Sequence, residues 1–176
     1  MSRLTNRKIV YLALLISLNV VLTRIASIRF SIGGVESLRV GFGPFPVILA
    51  GITFGPAAGG IVGALGDIIG FTINPMGPFM PHFTLTAALT GMIPAFVIKL
   101  FKRPVPSSFQ LFVAIFVGQF ISGIILNPLF LQITFNMPVF VTLPGKIITQ
   151  AIQIPAYTIL AEIVLKRSSI MYNPNM

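Results

Sequence analysis

Cysteine is absent from this chain of 176 residues, and there are only three acidic residues and one histidine. Without cysteine there can be no disulfide framework, no thiolate metal site and no cysteine nucleophile. A single histidine, His82, cannot anchor a conventional zinc site. The chain also has no GxxxxGK[ST] loop, so it is not expected to use ATP itself. These absences predict a protein with no catalytic residue, no metal and no cofactor of its own.

Apolar residues make up 55% of the chain and charged residues only 9%, with a mean hydropathy of +0.97. A soluble domain of this size does not need so much apolar surface, so the lipid bilayer is the expected solvent. Since a spanning helix takes about 20 residues, the length predicts an all-α membrane protein with six transmembrane helices and one domain over residues 1–176. The net charge of +9 does not indicate nucleic acid, because the basic residues lie at the ends of apolar segments.

The apolar segments are separated by polar stretches and by stretches rich in Gly and Pro. RFSIGGVESLRVGFG after the first segment predicts an external loop, and FNMPVFVTLPG before the last predicts a short loop. The tail SSIMYNPNM is assigned no role. The predicted spans are about Arg7–Ala26, Pro44–Phe54, Ala57–Ile73, from near His82 to the segment KLFKRPVP, Phe109–Thr134 and Lys146–Leu165.

The basic residues predict the orientation of the chain. With six spans, three clusters fall on the same side, which the positive-inside rule makes cytoplasmic, and both termini are then cytoplasmic. Glu162 is the one acid near this side, and Lys166 one turn on is expected to neutralise it. The clusters are Arg3, Arg7 and Lys8, then Lys99, Lys102 and Arg103, then Lys166 and Arg167.

Asp67 is the strongest candidate for a functional residue. It lies on the glycine-rich side of the third span, where close approach of neighbouring helices is expected, and roughly 10 Å below the outer end at Asn74. An acid inside a bilayer is a functional hypothesis by default, although a purely structural ion pair with a cation of another helix is the alternative.

Polar residues in and near the outer half are further candidates. Lys146, Gln150, Gln153 and Tyr157 form one stripe on the last span, which faces ligand, protein or trapped water. Gln119 and Asn127 are weaker candidates, and Arg24 is expected to snorkel towards the interface. Ala13 and Ser17 form a small pair on the first span that can receive another helix. The candidate residues of the outer loops are Arg29, Arg39, Asn74 and His82.

The segment from Leu38 to Pro94 resembles the substrate-binding S components of energy-coupling factor (ECF) transporters, most closely the folate-type family. The resemblance implies a six-helix S component in the bacterial plasma membrane, with a vitamin site open to the outside. The residues that carry it are Arg39, Gly41, Phe42, Gly43 and Pro46, then Phe54, Gly55 and Pro56, then Gly63, Ala64 and Asp67, and then Pro81, Phe83, Thr84, Leu85, Ala87, Ala88, Leu89 and Gly91.

The resemblance also implies partners: a transmembrane coupling subunit, which the small pair Ala13 and Ser17 would contact, and two subunits that hydrolyse ATP. For folate, Asp67 would face the amino group and ring N–H of the pterin, and Arg29, Arg39 or Lys146 would face the glutamate tail. Pyridoxine, hydroxymethylpyrimidine or a queuosine precursor are alternative ligands. A self-sufficient secondary carrier is an alternative class, but such carriers usually show two related halves, and no convincing repeat is visible. A structural membrane subunit would have no reason to keep Asp67 together with the polar stripe.

Overall fold

The chain forms a bundle of apolar helices in the computed structural model, which describes residues 3–25, 27–32, 35–75, 78–101 and 106–167. Within these ranges, five segments are long and apolar enough to cross a membrane, and the apolar helix Pro44–Phe54 is shorter. The span Ser108–Phe135 is continuous, because the π-helical segment Phe120–Leu126 joins the α-helices on either side of it. The elements are α1 Arg3–Arg24, β1 Ile28–Ile32, β2 Val35–Val40, α2 Pro44–Phe54, α3 Pro56–Ile73, α4 Pro81–Leu100, α5 Ser108–Gln119, the π segment Phe120–Leu126, α6 Asn127–Phe135 and α7 Val139–Arg167.

Prolines fix where three of the helices begin. Pro44, Pro56 and Pro81 stand in the first turns of α2, α3 and α4, where the missing N–H would have had no intrahelical partner. Ser107 caps α5 in a capping box, because its hydroxyl accepts from the Gln110 N–H and the Gln110 side chain accepts from the Ser107 N–H. Because Pro44 and Pro56 are visible in the sequence, the predicted bounds of the second and third spans match the structure to within a residue.

The helices alternate in direction, so their ends gather at two poles. Lys8 of α1 lies over the ring of Phe54 at the end of α2, with 5.9 Å between the ammonium and the ring centroid. Gly55, between α2 and α3, lies beside the ammonium of Lys99 near the end of α4. At the end of α7, Lys166 pairs with Glu162 at 2.6 Å, as predicted. We call this pole the basic end; Lys102, Arg103 and residues 168–176 lie outside the described part of the chain.

Three glycines let α2, α3 and α4 pack with their backbones in contact. A Cβ on Gly59 would lie 2.7 Å from the Gly51 Cα and 2.7 Å from the Gly91 carbonyl oxygen. No side chain larger than hydrogen fits there unless a helix moves, so the smooth face predicted for the third span is present. The adjacent core contains Ile48, Val62, Ile115 and Tyr157, all fully buried.

Two connections differ from the sequence prediction. The segment predicted as an external loop after α1 forms an antiparallel hairpin, in which Ile28 pairs with Val40 and Arg29 with Arg39. Apolar and polar residues alternate along β1, which is the period of a strand.

The second difference is that α7 begins at Val139, seven residues before the predicted Lys146, although Pro144 lies inside it. A proline at the sixth residue of a helix removes one backbone hydrogen bond and crowds the carbonyl of the residue four positions earlier, here Phe140. The turn is held by packing instead, because Thr142 is fully buried and its hydroxyl donates to the Val139 carbonyl.

Candidate ligand-binding site

A cavity of about 560 Å³ opens between the helices at the pole opposite the basic end, which we call the cavity end. This volume lies within the range of pockets that hold small ligands. One wall comes from the end of α1 and the facing parts of α3 and α4, and the other from α5, the π segment, α6 and the first half of α7. Phe71, Phe79 and Phe83 supply aromatic lining between polar groups.

Asp67 lies in the first wall and is held by two neighbours. The Thr84 hydroxyl donates to Asp67 Oδ2 at 2.7 Å, and Arg24 Nη2 lies 4.0 Å from Oδ1. Arg24 also donates from Nη1 to the Asn74 carbonyl at 3.0 Å. The two side chains are 10% (Arg24) and 26% (Asp67) exposed, so the carboxylate stays open to the cavity while its charge is balanced. The prediction that Arg24 snorkels towards the interface is wrong. Its side chain turns inward, because a buried carboxylate needs a cation nearby.

Asn19 and Thr23 continue this wall along α1. Asn19 is buried, and its Nδ2 donates to the Gly43 carbonyl at 2.7 Å, which ties α1 to the start of α2. Thr86 and Thr90 on α4 also line the cavity, and both hydroxyls donate to carbonyls one turn earlier. The hydroxyl hydrogens of these threonines are therefore used within the helix, and only the oxygen lone pairs remain available to a ligand.

The second wall carries an amide pair. Gln150 Nε2 of α7 donates to Gln119 Oε1 of α5 at 3.2 Å, and both residues are buried. Further along α7, Gln153 and Tyr157 both donate to the Gly41 carbonyl, at 2.8 and 2.6 Å. The polar stripe of α7 thus divides, with one part facing the cavity and one part fastening the backbone that follows the hairpin.

Lys146 lies one turn before Gln150 and also lines the cavity. With Arg24 it gives the cavity two cations and one carboxylate among the described residues. Such a cavity can bind an anionic group and a hydrogen-bonding ring at the same time. Among the described residues, no group of three His, Cys, Asp or Glu side chains could hold a metal ion.

Comparison with known families decides the class of protein. The profile of the family described as "ECF-type riboflavin transporter, S component" matches residues 3–169. The chain belongs to the S components of ECF-type transporters. This family is one of transporter subunits rather than enzymes, and with the apolar helices it makes the chain a multi-pass bacterial membrane protein. The six-helix S-component fold predicted from the sequence is confirmed.

Several known proteins are similar to this S component. The folate transporter FolT of Clostridium novyi (strain NT) is 33% identical over 150 residues, which cover 85% of this chain and 83% of that protein. The folate transporter FolT of Leuconostoc mesenteroides subsp. mesenteroides is 30% identical over 134 residues, covering 76% and 68%.

Two solved structures share the fold. The crystal structure of FolT bound with folic acid is 26% identical, with a TM-score of 0.75 and coverage of 92% of this chain and 93% of that one. A structure of the S component of a bacterial ECF transporter is 22% identical, with a TM-score of 0.68 and coverage of 93% and 95%.

The structure brings together only some of the residues predicted to bind substrate. Asp67, Lys146, Gln150 and Gln153 line the cavity of the S component. Asn74 is exposed and takes part through its backbone carbonyl, which accepts from Arg24. The backbones of Arg29 and Arg39 pair in the hairpin, but their side chains lie outside the described part of the structure.

His82 lies outside the cavity lining. Its ring packs against Phe83 and Phe130, with centroid distances of 4.6 and 4.8 Å, and its Nε2 lies 3.1 Å from the Thr134 hydroxyl. His82 thus joins the start of α4 to the end of α6 and packs against Phe83, which itself lines the cavity.

Sequence reasoning missed Arg24, Asn19, Thr23 and the threonines of α4 as lining residues. One signal was available, since Asn19 and Thr23 are spaced by four in an apolar span and therefore share a face. No comparable signal identifies the inward turn of Arg24, because that depends on how α1 packs against α3.

Proposed function

We propose that this S component binds folate from outside the cell and passes it inward with its ECF partners. The observation that carries the proposal is the cavity, in which a carboxylate balanced by Arg24 lies in the same space as Lys146. Asp67 would accept from the amino group of the pterin ring. Lys146 would bind a carboxylate of the glutamate tail. The two relatives named as folate transporters, at 33% and 30% identity, support this ligand.

Riboflavin is the second candidate ligand, because the matching family profile is described by that vitamin. Riboflavin has no carboxylate that Lys146 could bind, whereas the glutamate tail of folate has two. The two curated relatives are also named as folate transporters, and we therefore prefer folate.

Titration calorimetry on the chain in detergent tests the ligand. Folic acid, riboflavin, pyridoxine and hydroxymethylpyrimidine are added separately to the same preparation. Tight binding of folic acid alone is expected. Tight binding of another vitamin, with none of folic acid, would overturn the ligand while leaving the class of protein intact.

We further propose that α1 presents the surface for the coupling subunit. Ala13 and Ser17 are both exposed, and the Ser17 hydroxyl donates to the Ala13 carbonyl at 3.0 Å, so the pair offers a smooth patch with no unpaired hydroxyl. Leu14 and Leu18 flank it and are 60% and 42% exposed. An Ala13→Leu variant should bind folic acid normally in isolation but fail to support uptake with the coupling and ATP-hydrolysing subunits. Uptake at the wild-type rate would place the docking surface elsewhere.

The orientation is also a proposal, with the basic end and both termini on the cytoplasmic side. The described cations at that end, Lys8, Lys99 and Lys166, follow the positive-inside rule. Because the chain has no cysteine, single cysteines report topology directly. An impermeant maleimide should label Pro138→Cys in whole cells and should label Arg167→Cys only after lysis. The opposite pattern would reverse the orientation.

A further inference from the structure

The amide pair Gln119 and Gln150 has hydrogen-bonding capacity that the protein does not use. The side chains are only 3% and 7% exposed, and they share one hydrogen bond of 3.2 Å. Gln119 Nε2 and Gln150 Oε1 are both buried and have no hydrogen-bond partner among the described residues. Buried polar groups in proteins are nearly always paired, so a donor and an acceptor left over side by side call for a partner.

The backbone makes room for this pair at the cavity surface. Gln119 ends α5, directly before the π segment, and both glutamines line the cavity. Gly123 lies in the π segment against Gln150, and a Cβ there would overlap Gln150 Nε2. The glycine thus allows Gln150 to reach across to Gln119.

The unused groups are one donor and one acceptor whichever way the amides are oriented. If both amides were turned over, Gln119 would donate to Gln150, and one acceptor and one donor would again remain. The matching ligand group therefore carries an acceptor next to a donor on a single edge. A ring lactam, in which C=O and N–H are neighbours, has this pattern.

We propose that the Gln119–Gln150 pair recognises the lactam edge of a heterocyclic ligand, with the ring carbonyl accepting from one amide and the ring N–H donating to the other. The inference rests on the proposed function, since it deepens the vitamin site of the S component. It also names the ligand class as lactam-bearing rings, which pterins are and pyridoxine is not.

The pair and Asp67 can act on the same ring. Asp67 belongs to the wall formed with α1 and α4, and the glutamines belong to the wall of α5 and α7. In a pterin, the exocyclic amino group has a second N–H that points away from the lactam edge. That N–H is left for Asp67, while the lactam faces the amides.

Isosteric methionine variants separate recognition from a structural role. Gln119→Met combined with Gln150→Met keeps the side-chain volumes and removes all four polar groups. Gln132→Met is the matched control, because Gln132 is exposed on α6 and lies outside the cavity lining. A recognition pair predicts that the double variant melts no lower than wild type without ligand, because no buried group is left unpaired. A purely structural pair predicts a lower melting temperature with unchanged affinity, and that result would overturn the proposal.

The deciding experiment combines wild type and the variants with two ligands and measures each affinity by calorimetry. Folic acid is compared with an analogue whose pteridine keeps the 2-amino group but lacks the lactam. Wild type and Gln132→Met should prefer folic acid by about a hundredfold, the effect of two buried hydrogen bonds, and the double variant should bind the two compounds within about twofold. If the double variant keeps the hundredfold preference, the pair does not read the lactam. If wild type binds neither compound, the proposal of folate as the ligand is wrong, but the glutamine pair is still testable. The same comparison with riboflavin and a flavin that lacks the lactam then decides whether the pair recognises a lactam.

Discussion

The two ends of the bundle are packed in contrasting ways by the same helices. At the basic end, glycines such as Gly59 bring backbones together and apolar side chains fill the remaining space. At the cavity end, polar and aromatic side chains line a space of about 560 Å³ between the helices. Helix α3 takes part in both, with Gly59 in one and Asp67 in the other. We therefore expect substitutions in the closely packed basic end mainly to lower the stability of the protein. Substitutions that line the cavity should mainly lower its affinity for ligand.

The largest effect is expected where backbones touch. Gly59→Ala should lower the free energy of unfolding by about 3 kcal/mol, because the new Cβ meets backbone atoms of Gly51 and Gly91 that cannot turn aside. Gly60→Ala is the matched control, since its Cβ would meet only the flexible end of Met92. Thermal unfolding in detergent measures both. Equal melting temperatures for the two variants would show that the glycine contact is not tight.

Asp67→Asn tests the carboxylate that lines the cavity. The variant keeps the shape and loses the charge, so folic acid affinity should fall about a hundredfold. Glu162→Gln is the control, because it neutralises the other described ion pair, which lies at the basic end. Calorimetry gives both affinities. A similar loss in both variants would mean that the effect spreads through the fold and does not arise in the cavity.

Lys146→Met should weaken folic acid binding about tenfold, through loss of a charge-assisted contact to the tail. Lys99→Met, at the basic end, should bind as wild type does. The comparison is sharpened with a folate analogue whose tail carboxylates are esterified. Lys146→Met should bind that analogue as well as wild type does, and a tenfold loss there as well would show that Lys146 does not contact the tail.

The smallest effect is expected between the two regions, at the buried Tyr157. Tyr157→Phe removes one of the two donors to the Gly41 carbonyl, and Gln153 keeps the other, so stability should fall by about 1 kcal/mol. Tyr11→Phe serves as the control, because the Tyr11 ring stacks on Phe54 at the basic end. Denaturant unfolding resolves the difference. A loss above about 3 kcal/mol would mean that the hairpin depends on the tyrosine alone.

Much of the fold could be predicted because the signals are local. Span lengths, the prolines that start α2, α3 and α4, and the glycine face of α3 are all visible along one segment at a time. The start of α7 was misplaced because local rules read Pro144 and Gly145 as a loop, whereas burial of Thr142 keeps the turn helical. The hairpin is not predicted, because the glycines and charged residues of this segment are typical of a loop and outnumber the signal from the alternation of residues in β1.

The candidate site could be predicted only in part. Asp67 and the face of α7 were found because an acid or a polar stripe in an apolar helix stands out within its own segment. The pairing of Arg24 with Asp67, and of Gln119 with Gln150, joins different helices, and nothing in either segment specifies its partner. Whether His82 faces the cavity or the ring of Phe130 is likewise decided by packing.

The π segment Phe120–Leu126 has a consequence for how such proteins diverge. A π turn holds about one residue more than an α-helical turn, so a helix can accommodate a single extra residue by forming one. Deleting one residue there would restore an α-helix and rotate α6 by about 100° relative to α5. Asn127 and Leu131 would then leave the wall, and new side chains would take their place. A gain or loss of one codon could in this way change the chemistry facing a ligand while every other helix stays where it is.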